Sequence, residues 1–304
     1  MFLLFLQLYF FLIILYNILE VICVQLLVEF ENKSLSCLNS VDGIILPLID
    51  YSVESVCFFS LDEIINIKNN NKIKVFVKIN KNLFNSDIDE VKDILIKLDN
   101  INIDGIFFYD LAILQLKSEL KLNVDLIWSQ THMVNNYKTC DYYYDMGVKY
   151  ALLGKEITLD EVSEIIQKSK IISMVEVVSK PSVAFSYRKL LTNYFNDINE
   201  EPINNIKVKE KVSDSFYDII EDDNGTCFYL DSITNGTSVI KNLYEMGCQF
   251  IIFREYGIPN FDSLVVDTMK YISSGCSSKN YVTKYKKMGD STNFFFKRTI
   301  YKVK

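Results

Sequence analysis

Short runs of branched and aromatic residues alternate along this chain with longer segments whose apolar positions recur at helical spacing. The pattern is clearest between residues 101 and 162, read as INIDGIFFYDLAILQLKSEL, then NVDLIWSQTHMVNNYKTCDYYYDMG, then VKYALLGKEITLDEV. Its apolar runs (105–109, 124–129 and 150–153) have the character of fully buried strands. Polar residues follow each run, and a helical segment follows those. Earlier units repeat the cycle. Strands are predicted at 25–30, 43–46 and 74–79, with helices at 33–39, 61–67 and 87–98. In the third helix, Ile88, Val91, Ile94, Leu95 and Leu98 share a face, with Ser86 and Asp87 placed to cap it. The fifth helix is predicted from Asn135. Leu159, Val162, Ile165 and Ile166 form the stripe of the sixth, and residues 171–178 the seventh strand.

The cycle then breaks. Residues 180–193 read as a polar and aromatic loop, and 206–230 as β-rich runs around a hairpin signal at 222–225. A helix at 237–246, an eighth strand at 250–254 and a helix at 261–273 resume the pattern. Strands alternating with helices require parallel pairing through crossovers. The expected fold is therefore α/β, a TIM-like (β/α)8 barrel with a small β-rich insertion after strand seven. In such a barrel the residues just past the strand C-terminal ends form the functional face. The expected divisions are 1–23, a hydrophobic segment; 24–200, the first part of the barrel; 201–235, the insertion; 236–275, the last barrel unit; and 276–304, a basic tail.

The first segment, MFLLFLQLYFFLIILYNILEVICV, has the length of a bilayer span and one charge, Glu20. It lacks the basic start and small-residue cleavage site of a signal peptide. It reads either as a membrane anchor or as translation from upstream of the true start, so the expected location is cytoplasmic, or membrane-anchored through residues 1–22. Net charge is −7 over 304 residues, with 49% hydrophobic positions. That balance excludes wholesale disorder and argues against a surface built for bulk nucleic-acid binding. None of the seven cysteines forms a CxxC pair, and a single histidine rules out a multi-histidine metal site. No metal or cofactor is expected, and the cysteines read as reduced, structural thiols.

Candidate chemistry clusters at the strand ends. His132 is the one imidazole able to act as acid or base near neutral pH, and Gln130 beside it can orient an amide or a base edge. Lys155 and Glu156 follow strand six. Glu176 lies among Met174, Val175, Val177 and Val178, where a carboxylate must be paired or carry a raised pKa. Neighbouring strands could bring Glu156 and Glu176 together with Lys78, Lys155, Arg188 or Arg254, and a purely structural ion-pair network is the plain alternative. Arg188 and Arg254 also suit gripping a phosphate or carboxylate. Asp110 ends strand four and reads best as a helix cap. No G-x-S-x-G elbow accompanies Ser182 or Ser186, so serine hydrolase chemistry has little support.

Over residues 24–193 the chain resembles peptidase family U32, the collagenase-like peptidases. The resemblance is carried by DGIFFYDLAIL, SQTHMVNN and LLGKEITLDEV, and places Asp104, Asp110, Gln130, Asn136, Lys155 and Glu156 at family positions, Lys155 standing where arginine is usual. MVEVVSKPSVAFSYRKLLTNYF keeps Glu176 and Ser186 of the family signature and aligns Arg188. The signature's first cysteine is replaced by Ala184, and no cysteine lies between Asp141 and Thr226. Several family members hold an iron–sulfur cluster through such cysteines and take part in RNA base or quinone hydroxylation; that cluster cannot be assembled here in the same way. The resemblance implies a divergent, peptidase-like hydrolase. Its catalytic residues would be Glu176, Glu156 and His132. Gln130, Asn136, Lys155, Ser186, Arg188 and Arg254 would contact the substrate. The alternatives are a cluster-free factor for tRNA or rRNA base hydroxylation and a noncatalytic ligand-binding barrel. The substrate is accordingly a peptide or an RNA, with a membrane as a further partner if the first segment is real.

Overall fold

The structure is a computed structural model that describes residues 24–130, 132–211, 215–289 and 295–296. Eight parallel strands close on themselves: β1 (Gln25–Glu29), β2 (Gly43–Pro47), β3 (Lys74–Ile79), β4 (Gly105–Phe108), β5 (Leu126–Trp128), β6 (Tyr150–Leu152), β7 (Ile172–Ser179) and β13 (Phe250–Arg254). β13 pairs with both β7 and β1, which completes the cylinder. The (β/α)8 reading of the sequence holds, with one exception at the first crossover. The helix expected at 33–39 is a single 3-10 turn, Leu38–Ser40.

The other crossovers are helical, and local chemistry sets where they start. Helices α1 (Leu61–Asn70) and α5 (Leu159–Lys168) begin with complete capping boxes, Ser60 with Glu63 and Thr158 with Glu161. Helix α3 (Leu111–Leu120) is capped by Asp110, whose Oδ1 accepts from the Ala112 amide at 2.9 Å. Helix α2 (Ile88–Asn100) starts without a side-chain cap, because Asp87 accepts from the Phe84 amide in the preceding turn instead. Helix α4 (Tyr137–Asp145) starts two residues later than expected, with Asn136 as its cap.

A second sheet interrupts the barrel. It is antiparallel, in the order β8 (Ser182–Ser186), β11 (Gly225–Leu230), β10 (Phe216–Asp222), β9 (Asn205–Lys209), with helix α6 (Leu190–Asp197) against it. The expected loop at 180–193 is thus strand β8 and the start of α6. The sheet therefore draws in residues that the sequence reading counted with the barrel. The reason is pairing: SVAFS has little alternation of its own and becomes a strand because β11 runs beside it. The hairpin at 222–225 is present, Asp222 pairing with Gly225. After the short strand β12 (Thr234–Asn235), helix α7 (Ile240–Glu245) leads back to β13, and helices α8 (Phe261–Ser273) and α9 (Lys279–Tyr285) close the described chain.

The core follows the strand alternation. Outward residues such as Val28, Leu46, Val77 and Phe253 pack beneath the helices, while Leu27, Ile45, Phe76, Phe107, Ile127, Met174, Phe250 and Ile252 fill the barrel. Among the described residues no helix is long and apolar enough to cross a membrane; the expected anchor at 1–23 lies outside them.

Gly225 (φ +138°) sits where a Cβ would meet the Ser186 carbonyl oxygen, whereas Gly147 (φ +90°) faces open space. Gly225→Ala is therefore expected to cost about 2–4 kcal/mol and Gly147→Ala about 1 kcal/mol, read from urea denaturation midpoints.

Candidate active site at the barrel mouth

The same alternation that fills the barrel places charge above its apolar plug. Two residues beyond Leu27, Phe76, Met174 and Ile252 on their strands stand Glu29, Lys78, Glu176 and Arg254. All four point inward at the C-terminal mouth, and Glu29, Lys78 and Glu176 are almost wholly buried. Lys155, from the β6–α5 connection, reaches in to join them.

Glu176 is gripped from two sides, by Arg254 Nε 2.8 Å from Oε2 and Lys155 Nζ 2.7 Å from Oε1. Ser179 Oγ donates to Oε1 at 2.5 Å. The Arg254 contact has the proximity of an ion pair without the alignment of a hydrogen bond, so Nε and Oε2 both stay unpartnered in the donor–acceptor sense. Glu29 lies 3.6 Å from Arg254 Nη1 and 3.5 Å from Lys78 Nζ, and accepts from Ser55 Oγ at 2.7 Å. Lys78 in turn donates to Ser55 Oγ at 2.7 Å and to the Glu54 carbonyl at 3.1 Å. Glu54, held at φ +56°, also receives Arg254 on its carbonyl (3.3 Å) and Ser182 on its carboxylate (2.7 Å).

These contacts set the ionisation. Burial pushes the Glu176 carboxyl up, but Arg254 and Lys155 outweigh it and hold it down at about 2. Burial likewise opposes ionisation of Glu29, and Arg254, Lys78 and Ser55 together bring it below the usual carboxylate range. Burial pushes the Lys78 amine down to about 8, against the pull of Glu29. At neutral pH Glu176 is thus a committed anion and a poor proton acceptor.

Two cavities meet here. A narrow well of about 30 Å3 is lined by the charged Glu29, Lys78 and Arg254 and by the apolar Ile45, Phe107 and Ile252. It shares Glu54, Asn80 and Lys155 with a wider groove of about 550 Å3, walled by Tyr109, His132, Glu156, Phe185 and Tyr187. Tyr187 is fixed across the groove, its hydroxyl accepting from the Asn82 amide at 3.0 Å and its ring meeting Phe185 edge-on at 4.9 Å.

Of the residues singled out from sequence, the structure gathers Glu176, Lys155 and Arg254 in the mouth. His132 and Glu156 sit 3.8 Å apart on the exposed wall of the groove, so Glu156 does not join Glu176 inside. Gln130 is occupied in tying strand ends, donating to the Tyr109 carbonyl (2.6 Å) and accepting from Trp128 (3.1 Å). Asn136 caps α4, its Oδ1 accepting from the Thr139 amide at 2.9 Å. Ser186 Oγ accepts from the Arg188 amide at 3.2 Å, and neither residue lines the well or the groove. Glu29 and Ser55 were missed, and Lys78 was seen only as a partner for Glu176. The rule that flagged Glu176, a charge at an inward strand position, applies equally to Glu29 in QLLVE and Lys78 in KVFVKI.

Residues 58–251, well over half of the chain, match peptidase family U32. The chain belongs to this family. Lys78, Lys155 and Glu176 fall within the matched stretch, and Glu29 and Arg254 outside it. Among curated relatives, tRNA hydroxylation protein P2 of Bacillus subtilis is 29% identical over 160 residues, covering 50% of this chain and 52% of that protein. An uncharacterized protease of Methanocaldococcus jannaschii is 30% identical over 139 residues, covering 44% and 33%. tRNA hydroxylation protein P1 of Bacillus subtilis is 25% identical over 121 residues, covering 40% and 29%. The chain thus spans about half the length of the first of these relatives and about a third of the others.

Among the described residues, the side chains do not fit the iron–sulfur cluster that the family resemblance associates with some members. The described cysteines are free and buried, and among the described residues no three His, Cys, Asp or Glu side chains converge as metal ligands. Cys227, opposite Phe185 across the β8–β11 pairing, is turned toward Ser182 Oγ at 3.5 Å.

The folded-state value of Glu176 lies below its ordinary 4.5, so its contribution to stability is complete above that pH. It is lost as pH falls toward about 2. Glu176→Gln is expected to destabilise the protein by about 3–5 kcal/mol at neutral pH, because Arg254 and Lys155 lose their counter-ion. The same variant should flatten the acid limb of the stability-versus-pH curve, measured by urea denaturation.

Proposed function

We propose that this U32 member acts in tRNA hydroxylation and that its barrel mouth holds an unstacked nucleobase. The observation that carries the reading is the groove itself. Its walls are aromatic (Tyr109, Phe185, Tyr187), with Lys155 and His132 along it and a charged well at its end. An extruded base is recognised by stacking on such walls and by polar groups at its edge. The named function of two similar proteins, P1 and P2 of Bacillus subtilis, supports the same substrate class. A net charge of −7 fits binding through bases more than through phosphates. Work on tRNA makes the cytoplasm the expected site of action. The chain's part is recognition and positioning of the base, and the step that installs oxygen is assigned to none of its side chains.

Peptide hydrolysis is the second reading, and one observation favours it: Ser55 Oγ lies 2.7 Å from Lys78 Nζ, the spacing of a serine nucleophile and a lysine base. Ser55 lines neither the well nor the groove, whereas the aromatic walls are open to a ligand, so the nucleobase reading is preferred.

Deleting the gene is expected to remove a hydroxylated nucleoside from tRNA digests analysed by mass spectrometry, with recovery on re-expression. Tyr187→Ala should weaken tRNA binding about tenfold, as loss of one stacking surface does. Unchanged nucleosides, together with peptide cleavage that Ser55→Ala abolishes, would overturn this assignment in favour of hydrolysis.

A further inference from the structure

We propose that Lys78 is a carbonyl-reactive lysine, whose amine in the wall of the well forms a Schiff base with a small aldehyde or ketone entering through the groove. The inference is independent of the tRNA reading. Its first support is placement. Lys78 projects inward near the C-terminal end of β3, and its Nζ is aimed by Ser55 Oγ (2.7 Å), the Glu54 carbonyl (3.1 Å) and Glu29 (3.5 Å). A strand holds an amine more rigidly than a loop does, which favours attack in one orientation.

The second support is the contrast with neighbouring lysines. Lys155 is clamped 2.7 Å from Glu176, and Lys180 is bridged between Asp218 and Asp231. Lys78 has its carboxylate further off, at 3.5 Å, and is more deeply buried. Burial disfavours the ammonium form, bringing the amine to about 8, so its neutral fraction at neutral pH rises by about two orders of magnitude over an ordinary lysine.

The third is the surroundings. Ile45, Phe107 and Ile252 line the same well as Lys78 and give the carbon end of a ligand an apolar surface. The well, at about 30 Å3, takes only the reacting end, and the rest of the molecule lies toward the groove through the shared residues Glu54, Asn80 and Lys155.

The step balances without an external reagent. Nζ attacks the carbonyl carbon to give a carbinolamine, and the C–O bond then breaks. The carbonyl oxygen leaves as water with two of the three ammonium protons, and the third stays on the iminium nitrogen. Ser55 Oγ, 2.7 Å from both Lys78 Nζ and Glu29 Oε1, passes protons between the amine and Glu29, whose carboxylate lines the well and exchanges them with the departing hydroxyl. Because the iminium keeps the positive charge, Glu29 never faces the well unpaired, which would carry a heavy penalty in a buried site.

The test is reductive alkylation of the full chain with propanal and cyanoborohydride near neutral pH, with the rate at each lysine followed by peptide mass spectrometry. Hydride reduces the imine to a stable secondary amine. Lys78 is expected to be alkylated at least tenfold faster than the exposed Lys121, with a rate that levels off above about pH 8. Alkylation of Lys121 with Lys78 unmodified, or modified no faster, would overturn the proposal. Ser55→Ala should slow labelling of Lys78 several-fold and leave Lys121 unchanged; equal rates at Lys78 would remove Ser55 from the proton path.

Discussion

Charge buried at the end of a parallel barrel must be balanced by charge, and this requirement organises the mouth of the molecule. Arg254, Lys78 and Lys155 stand against Glu29 and Glu176 inside a ring of strands whose next layer down is wholly apolar. Removing any one member would leave a partner charged in a medium that solvates it poorly. The network holds both carboxylates as anions, while burial, against the pull of Glu29, weakens the hold of Lys78 on its proton. An ionic lattice of this kind is a rigid floor more than a pair of acid–base catalysts.

The antiparallel sheet gives that floor a wall. Ser182, on β8, donates to the Glu54 carboxylate, while the Glu54 carbonyl receives Lys78 and Arg254. Asn224, at the tip of the β10–β11 hairpin, reaches across to the Ser52 carbonyl at 3.0 Å and accepts from Lys81 at 3.0 Å. Lys180, just after β7, pairs with Asp218 on β10. The insertion is thereby bound to the barrel through polar side chains at the rim, and its free β8 face becomes one side of the groove. The charge layer and the insertion together build the mouth.

Much of the architecture was legible along the chain because it is local. Capping boxes at Ser60 and Thr158, the helical stripes, and buried apolar strands fix each βα unit within a few dozen residues. Where the reading differed, a long-range partner decided. Residues 182–186 became strand β8 through pairing with β11, 40 or more positions away, and Asp87 left its expected capping role for the Phe84 amide. Asn136 and Gln130 look like ligand contacts in sequence, yet each is occupied locally, one as a helix cap and one in joining β4 to β5.

The sequence by itself determined the strand–helix alternation, the parallel closed sheet that follows from it, and the presence of a charge at the inward position of Glu176. Strand periodicity is a near-neighbour property and needs no knowledge of distant contacts. Only the tertiary structure decided that Glu29, Lys78, Glu176 and Arg254 share one layer, because their meeting depends on how eight strands stagger around the barrel, including the irregularity between Ile252 and Phe253. It alone also separated Glu156 from Glu176. A difference of one residue in where a loop turns sends Lys155 inward to a buried carboxylate and leaves Glu156 in water.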